Sequence, residues 1–341
     1  MLKKNLSKIF FFLFVLIFIT NFLYGKEYNV ATYNIRTSTA ADNPSGNGWA
    51  NRLSSVTNLI LFNNFDIFGT QEVRPNQFKD LNNRLKDVYS SFGVGREDGK
   101  NQGEYCAIFY KKNKFKLLDG NTFWISETPD KISKGWDAKY YRICTWVKLQ
   151  DIESEIEIWF FNVHLDNEGR KARSEGCKLI LERIKLLCPA NANVVLTGDF
   201  NFTQNNKFLN ILSECKFLKN TYSSALYKWA PTGTFCGFSP SEISVNTLDY
   251  IFVSKSAIVT RYGVLNNIYY TADNKDVTTI DGLNAEIKKN KSFQVRNPSD
   301  HYPVSVFVEF QKNTIDNTKT DNSSTKNENS IKNKILNKIF K

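Results

Sequence analysis

Residues 193–201 read NVVLTGDFN. The first four form a short apolar run, enough for a buried strand, and it opens into a polar segment carrying Asp199 and Asn201. Working outward, the same pattern recurs along the chain. YNVATYN at 28–34 alternates and stops at Asn34, DIFGT at 66–70 leads into Gln71 and Glu72, and IEIWFFNVH at 156–164 ends on His164. LDYIFV at 248–253 starts beside Asp249, and VSVFVEF at 304–310 follows Asp300 and His301. Each is a strand with a polar residue at one end.

Between these runs lie helical patterns at 49–64, 77–85 and 170–187, the last with Ala172, Cys177, Leu179, Ile180, Ile184 and Leu187 on one face. Further β-rich segments fall at 90–94, 105–110, 115–124 and 143–149. No unit repeats at a period of about 20–50 residues, which excludes a solenoid. Strands mixed with helices throughout predict an α/β or α+β sandwich, with the polar strand ends gathered at one rim of a sheet. Both histidines of the chain belong to that set.

The residue types make one chemical sense. Carboxylates and amides without cysteine ligands suit a hard cation, Mg²⁺, Mn²⁺ or Ca²⁺, rather than structural zinc. Such a metal polarises a phosphoryl oxygen, while imidazoles move protons or neutralise developing charge. That combination is what phosphoester hydrolysis needs.

Six motifs carry a resemblance. TYNIR at 32–36, TQE at 70–72, NVHLD at 162–166, GDFN at 198–201, LDYIF at 248–252 and SDHYP at 299–303 resemble the endonuclease/exonuclease/phosphatase superfamily. They occur in the family's order and span nearly all of residues 26–311. The resemblance implies a deoxyribonuclease I-like fold: a four-layer α/β sandwich, two packed mixed β-sheets flanked by helices. It implies metal binding by Glu72 with Asn34 and Asp300. Asp199 would orient or deprotonate the attacking water, and Asn201 would hold a phosphate oxygen. His301, backed by Asp249, and His164 would face the phosphate. Glu104, opening EYCAIFY, matches the acid that supports the equivalent of His164 in deoxyribonuclease-like members. Longer stretches (VGREDGKNQGEYCAIFYKK, FWISETPD, GWDAKYYRICTW, HLDNEGRKARSEG) are similar to an uncharacterised bacterial and fungal subgroup near the deadenylases. In that context Arg142 is either a contact to substrate phosphate or a structural staple.

The chain has 341 residues, 41% hydrophobic and 23% charged, which excludes disordered, collagen-like and polytopic membrane classes. Its net charge of +11 is unevenly spread: residues 1–25 carry +3 and residues 312–341 carry +4, leaving +4 on residues 26–311. Residues 1–25, with Lys3, Lys4 and Lys8 ahead of an apolar core, read as a secretory signal or an uncleaved N-terminal anchor. The expected location is therefore outside the cytoplasm, secreted or periplasmic. From 312 onward the composition is too polar to bury a core, although IKNKILNKIFK at its end places apolar and basic residues at helical spacing. The six cysteines show no C-x-x-C or zinc spacing; in an exported chain some could pair, and Cys106 and Cys144 fit as small core residues.

Taken singly, each site residue has a structural alternative: Asn34 or Asn201 closing a turn, Asp249 capping a loop, Asp300 capping a helix. Together they point to a metal-dependent phosphoesterase. Of its substrates, nucleic acid gains from Lys111, Lys112, Lys114 and Lys116 and from the abundant aromatics. The expectation is a nuclease-like phosphodiesterase, with a phospholipid (sphingomyelinase-type) or a sugar or inositol phosphate as the alternative substrate. A non-catalytic phosphate binder or a membrane-surface protein acting through its basic termini is the alternative of another class. No obligate protein partner is indicated.

Overall fold

The computed structural model describes residues 25–272, 275–277, 280–289 and 293–312. The apolar leader, the polar tail from 313 and its amphipathic end lie outside the described residues. In chain order the strands are β1 (Lys26–Asn34), β2 (Ile67–Gln71), β3 (Tyr89–Phe92), β4 (Ile108–Lys111), β5 (Phe115–Trp124) and β6 (Ile143–Asp151). They continue with β7 (Glu157–His164), β8 (Asn193–Asp199), β9 (Leu218–Asn220), β10 (Tyr227–Trp229) and β11 (Asp249–Ser254). Last come β12 (Ile258–Val264), β13 (Tyr269–Ala272), β14 (Lys275–Val277), β15 (Phe293–Arg296) and β16 (Val304–Phe310). The helices are α1 (Trp49–Asn63), α2 (Pro75–Leu85), α3 (Arg170–Leu187), α4 (Phe208–Ser213), α5 (Thr221–Ser224) and α6 (Ile280–Ile287).

Two large sheets face each other, ordered β10-β12-β16-β1-β2-β4-β3 and β5-β6-β7-β8-β11-β9. Both are mixed: β1 runs parallel to β2 and β7 parallel to β8, while the other β1, β2, β7 and β8 pairings are antiparallel. One apolar cluster lies between the sheets, a second packs β6, β7 and β8 against α3 and α4, and a third packs β1 and β2 against α1 and α2. The four-layer sandwich expected from the sequence is the architecture observed. A small third sheet, β14-β13-β15, has no counterpart in the sequence reading. Its strands are short and carry exposed positions such as Tyr270 and Val295, so no apolar run announces them.

Alternation explains how the sheets position a site. On the inter-sheet faces, Tyr28 and Val30, Ile67, Ile158 and Phe160, Val195, and Ile251 and Val253 belong to the shared apolar cluster. Two residues further toward the other pole, or four in β2 where Gly69 intervenes, the same faces become polar: Thr32, Gln71, Asn162 and Thr197 are all buried. These four are linked by hydrogen bonds, and Gln71 Oε1 is left without a partner. Asn162 Oδ1 accepts from Gln71 Nε2 at 2.6 Å and Thr197 Oγ1 at 3.2 Å, while Gln71 Nε2 also donates to Thr32 Oγ1. Asn162 Nδ2 donates across the sandwich to the carbonyls of Thr70 and Ala107. The sheets approach so closely here that a Cβ on Gly69 would lie 2.4 Å from the Asn162 amide.

Two further contacts brace the polar rim. Arg52 of α1 is fully buried and donates to the carbonyls of Ile35, Arg36, Asn47 and Pro298, tying the exit of β1 to the segment before β16. Gln77, in the first turn of α2, accepts from the backbone N–H of Arg74 and of Ser38 and donates to the Arg36 carbonyl.

The opposite pole holds Lys111, Lys112, Lys114 and Lys116. Lys111 and Lys114 are ion-paired with Asp66 at 2.9 and 2.8 Å, at the far end of β2 from Glu72. These lysines therefore do not line the rim, and their use in favour of a nucleic acid falls away. All six cysteines are free thiols, so the disulfides allowed for in an exported chain do not form. Cys144 lies within β6 and both it and Cys106 are buried, as core residues should be.

The inter-sheet network yields a stability prediction. Asn162→Leu keeps the volume but strands the Thr70 carbonyl and removes partners from Gln71 and Thr197. It should cost about 2–3 kcal/mol, read as a lower urea midpoint with an unchanged denaturant slope.

Candidate active site

Strand register assembles the rim. His164 at the end of β7 pairs with Asp199 at the end of β8, and Asp199 pairs with Asp249 at the start of β11. Three reactive side chains thus stand side by side on adjacent strands. Gly198 makes the approach possible, since a Cβ there would meet the Val163 carbonyl at 2.1 Å. From the facing sheet come Asn34 at the end of β1 and Glu72 just past β2. Arg36, Glu72 and Asn201 all have positive φ, at 59°, 62° and 51°. Left-handed backbone is costly for these residues and is held here by the surrounding bonds, a pattern that marks functional sites.

Asn34 is the hub. Its Nδ2 donates to Glu72 Oε1 and Asp199 Oδ2, both at 3.0 Å, and lies 3.5 Å from His301 Nε2. Its Oδ1 is taken by the Arg36 N–H. The side chain thus bridges the two carboxylates through its nitrogen, with its oxygen on the Arg36 N–H. Glu72 also accepts from the Thr37 N–H at 2.9 Å.

The two imidazoles sit in opposite electrostatic settings. Burial disfavours a charged His301, but the Asp249 carboxylate on Nδ1 at 2.8 Å, with Asp199 and Asp300 nearby, outweighs burial and holds it well above the usual histidine range. His301 Nε2 points into the site, 3.8 Å from Asp199, and the Phe235 ring packs edge-on against the imidazole at 5.0 Å. His164 is driven well below that range, first by burial and then by the charges of Arg142 and Arg96. Asn201 fixes its tautomer: Nδ2 donates to the Leu165 carbonyl, so the amide nitrogen also faces His164 Nε2 at 2.9 Å, and that ring nitrogen accepts. Burial and the Asp249 charge push Asp199 up to about 7.

Glu72, His164 and Asp199 place ligand atoms within 4.8 Å of one another, as do Asp199, Asp249 and His301. The first set fits a divalent cation well: two carboxylates and an imidazole lone pair kept free of a proton. Asp300 joins neither set. It lies 3.5 Å from Arg36 Nη1 and accepts from Ser299 Oγ, and its carboxyl is raised by burial.

A wall of arginines stands beside His164. Arg142 Nε donates to Asp166 and Nη2 to Asn167, while Nη1 is buried without a partner. Arg96 Nη1 pairs with Glu104 at 2.7 Å. Glu104 thus does not stand behind His164 as expected. It closes the 95–105 turn onto Arg96, and the partner of His164 is Asn201. Both guanidinium groups lie under the half-open ring of Tyr140, at 5.4 and 5.5 Å. Arg96 and Tyr140 escaped the sequence reading; they fall inside the subgroup-like stretches but follow no strand end.

Comparison with known proteins agrees with this arrangement. Residues 31–301 match the Endonuclease/Exonuclease/phosphatase family. The chain belongs to that family. A mannosyl-6-phosphatase from Bacteroides thetaiotaomicron is 38% identical, covering 83% of this chain and all of that one, with a TM-score of 0.76. A family protein from Bacteroides vulgatus is 31% identical over 84% of this chain and all of that one, with a TM-score of 0.71. The Ccr4 exoribonuclease subunit of the CCR4-Not complex of Candida glabrata is 25% identical over 82% of this chain but only 35% of its own length. The curated relatives are longer than the shared region: an uncharacterised mimivirus protein, 31% identical over 45% of this chain, is matched over 59% of its length.

As a member of the endonuclease/exonuclease/phosphatase family the chain is a hydrolase of phosphoester bonds; enzymes of the family depend on a divalent metal, and Glu72, His164 and Asp199 form a site that could hold one. With only two histidines, its protonation pattern is directly observable. In metal-free protein at neutral pH, ring nitrogen NMR should show His301 as imidazolium and His164 neutral with its proton on Nδ1. Asp249→Asn should return His301 toward the neutral form. Two rings titrating together at the ordinary histidine value would contradict the geometry.

Proposed function

We propose that this hydrolase is a phosphomonoesterase that removes the terminal phosphate of a phosphorylated sugar, with Mg²⁺ as its metal. The observation that carries this reading is the unpartnered Nη1 of Arg142, buried just before β6, the strand that pairs with the rim strand ending on His164. A buried guanidinium nitrogen without a partner is costly unless a ligand satisfies it. With Arg96 beside it, the wall suits a dianionic phosphate better than the singly charged link of a diester. The mannosyl-6-phosphatase, at 38% identity over nearly its full length, supports the same class.

Glu72 with Asp199 and His164 would hold the metal, which would supply Lewis-acid polarisation of a phosphoryl oxygen. Asp199, at the edge of that metal site, would orient the attacking water. The imidazolium of His301 neutralises charge developing on phosphate oxygens, and Asp249 keeps it protonated and oriented. Asn34 holds Glu72 and Asp199 in place. Arg142 and Arg96 take the remaining phosphate oxygens.

A nuclease-like phosphodiesterase is the second reading, favoured by the 25% identity to the Ccr4 exoribonuclease. The two separate in one assay series with Mg²⁺: mannose 6-phosphate and p-nitrophenyl phosphate against bis-p-nitrophenyl phosphate, oligoribonucleotide and sphingomyelin. The monoesters should have the higher kcat/KM by roughly a hundredfold. Arg142→Ala should lower that value about 30- to 100-fold, the loss of one charge-assisted contact, and His301→Gln should lower kcat by about 10²–10⁴. Faster cleavage of a diester would overturn the proposal, and activity in excess chelator would remove the metal from it.

A further inference from the structure

A second cavity lies at the pole opposite the rim. It is a cleft of about 610 Å³ between the end of α3, the start of β8, the end of β11 and the last described residues. Two strands that carry site residues reach it, β8 from Asn193 to Asp199 and β11 from Asp249 to Ser254, and β1, from Lys26 to Asn34, starts opposite Phe310, next to the lining residue Gln311. At about 3.3 Å per residue the two poles are roughly 20–26 Å apart. The cleft therefore cannot be an extension of the catalytic mouth.

Its lining is one-signed. Lys185, Lys216, Lys255 and Lys312 contribute to it and no Asp or Glu does; among its polar groups are Ser254 and Asn193. Asn193 Nδ2 is hydrogen-bonded to the Gln311 carbonyl, so the cleft floor is continuous with the C-terminal end of the fold. Near it two large apolar side chains face solvent: Leu186, next to Lys185 in the last turn of α3, is 44% exposed, and Ile152, in the loop whose Glu155 pairs with Lys312, is 58% exposed. Scattered exposed apolar residues are ordinary, but these share a pole with four clustered lysines, of which Lys312 is paired with Glu155.

Both chain ends leave from the same place. Lys26 is paired in register with Phe310, so the segments before 25 and after 312 depart side by side. In sequence those segments are the apolar run at 9–20 and a lysine-rich tail ending in IKNKILNKIFK. A soluble anion would satisfy the lysines alone. A lipid surface satisfies the lysines, the exposed apolar side chains and both chain ends at once.

We propose that this pole is a docking face for an anionic membrane, with lipid phosphates seated in the lysine-lined cleft. The catalytic rim then faces away from the bilayer, and its substrate arrives from the aqueous side. The proposal is independent of which phosphoester is hydrolysed.

The test uses the full chain and phosphatidylcholine vesicles with and without phosphatidylglycerol. The wild type should bind the anionic vesicles more tightly, and added salt should erase the difference. Lys216→Gln with Lys255→Gln should weaken binding to anionic vesicles about thirtyfold, leaving binding to neutral vesicles and hydrolysis of a soluble phosphoester unchanged. Lys100→Gln with Lys131→Gln, removing equal charge outside the cleft, should leave vesicle binding intact. Unchanged binding of the cleft variant, an equal loss in the control pair, or no preference for anionic lipid would each overturn the proposal.

Discussion

The structure depends on a buried polar layer between its two sheets. Below it, the facing surfaces are apolar and pack as any sandwich core does. Above it stand the acids, amides and imidazoles. Asn162 sits at the change-over and bonds to both sheets, spending every hydrogen-bonding group it has. An apolar residue there would fill space without fixing the register of one sheet on the other. The hydrogen-bonded network fixes it, because any slip strands several groups at once. The positions of Asn34 and Glu72 on one sheet relative to His164 and Asp199 on the other follow from that single alignment.

Once alignment is set, electrostatics sorts two chemically identical side chains into different jobs. His301 is surrounded by carboxylates and stays cationic despite burial. His164 faces arginines and stays neutral. Neither outcome is a property of histidine. Each follows from which strand neighbours it: Asp249 across the site for one, the Arg96 and Arg142 wall for the other. The same crowding lifts Asp199, which sits beside the cationic His301 within one small volume.

Much of this was legible in the sequence because strands write their ends plainly. An apolar alternation that stops on Asn34, His164 or Asp199 shows both the element and the pole to which the side chain goes. What could not be read was pairing across the fold. Glu104 looked like the support of a histidine, yet its nearest cation is Arg96, brought close by a tight turn. Lys111 to Lys116 looked like a basic stripe near a site, but the direction of β4 and β5 sends them to the far pole, where Asp66 neutralises two of them. Asn34 was recognisable as a site residue, while the orientation of its amide is set by the Arg36 N–H, a contact with no sequence signature. Arg96 has no strand end to mark it, and the third sheet lacks the apolar runs that announced the other two.

The thiols carry a separate consequence. Burial pushes Cys106 and Cys188 up to about 12 and Cys236 up to about 11, and raises Cys144 and Cys177 as well. Held as protonated, inward-facing groups, these sulfurs are poor nucleophiles for oxidants and for one another. The packing of the sandwich thus places no demand on sulfur pairing, and the sulfurs of Cys106, Cys144 and Cys177, buried inside it, are shielded from whatever oxidant the surrounding compartment holds.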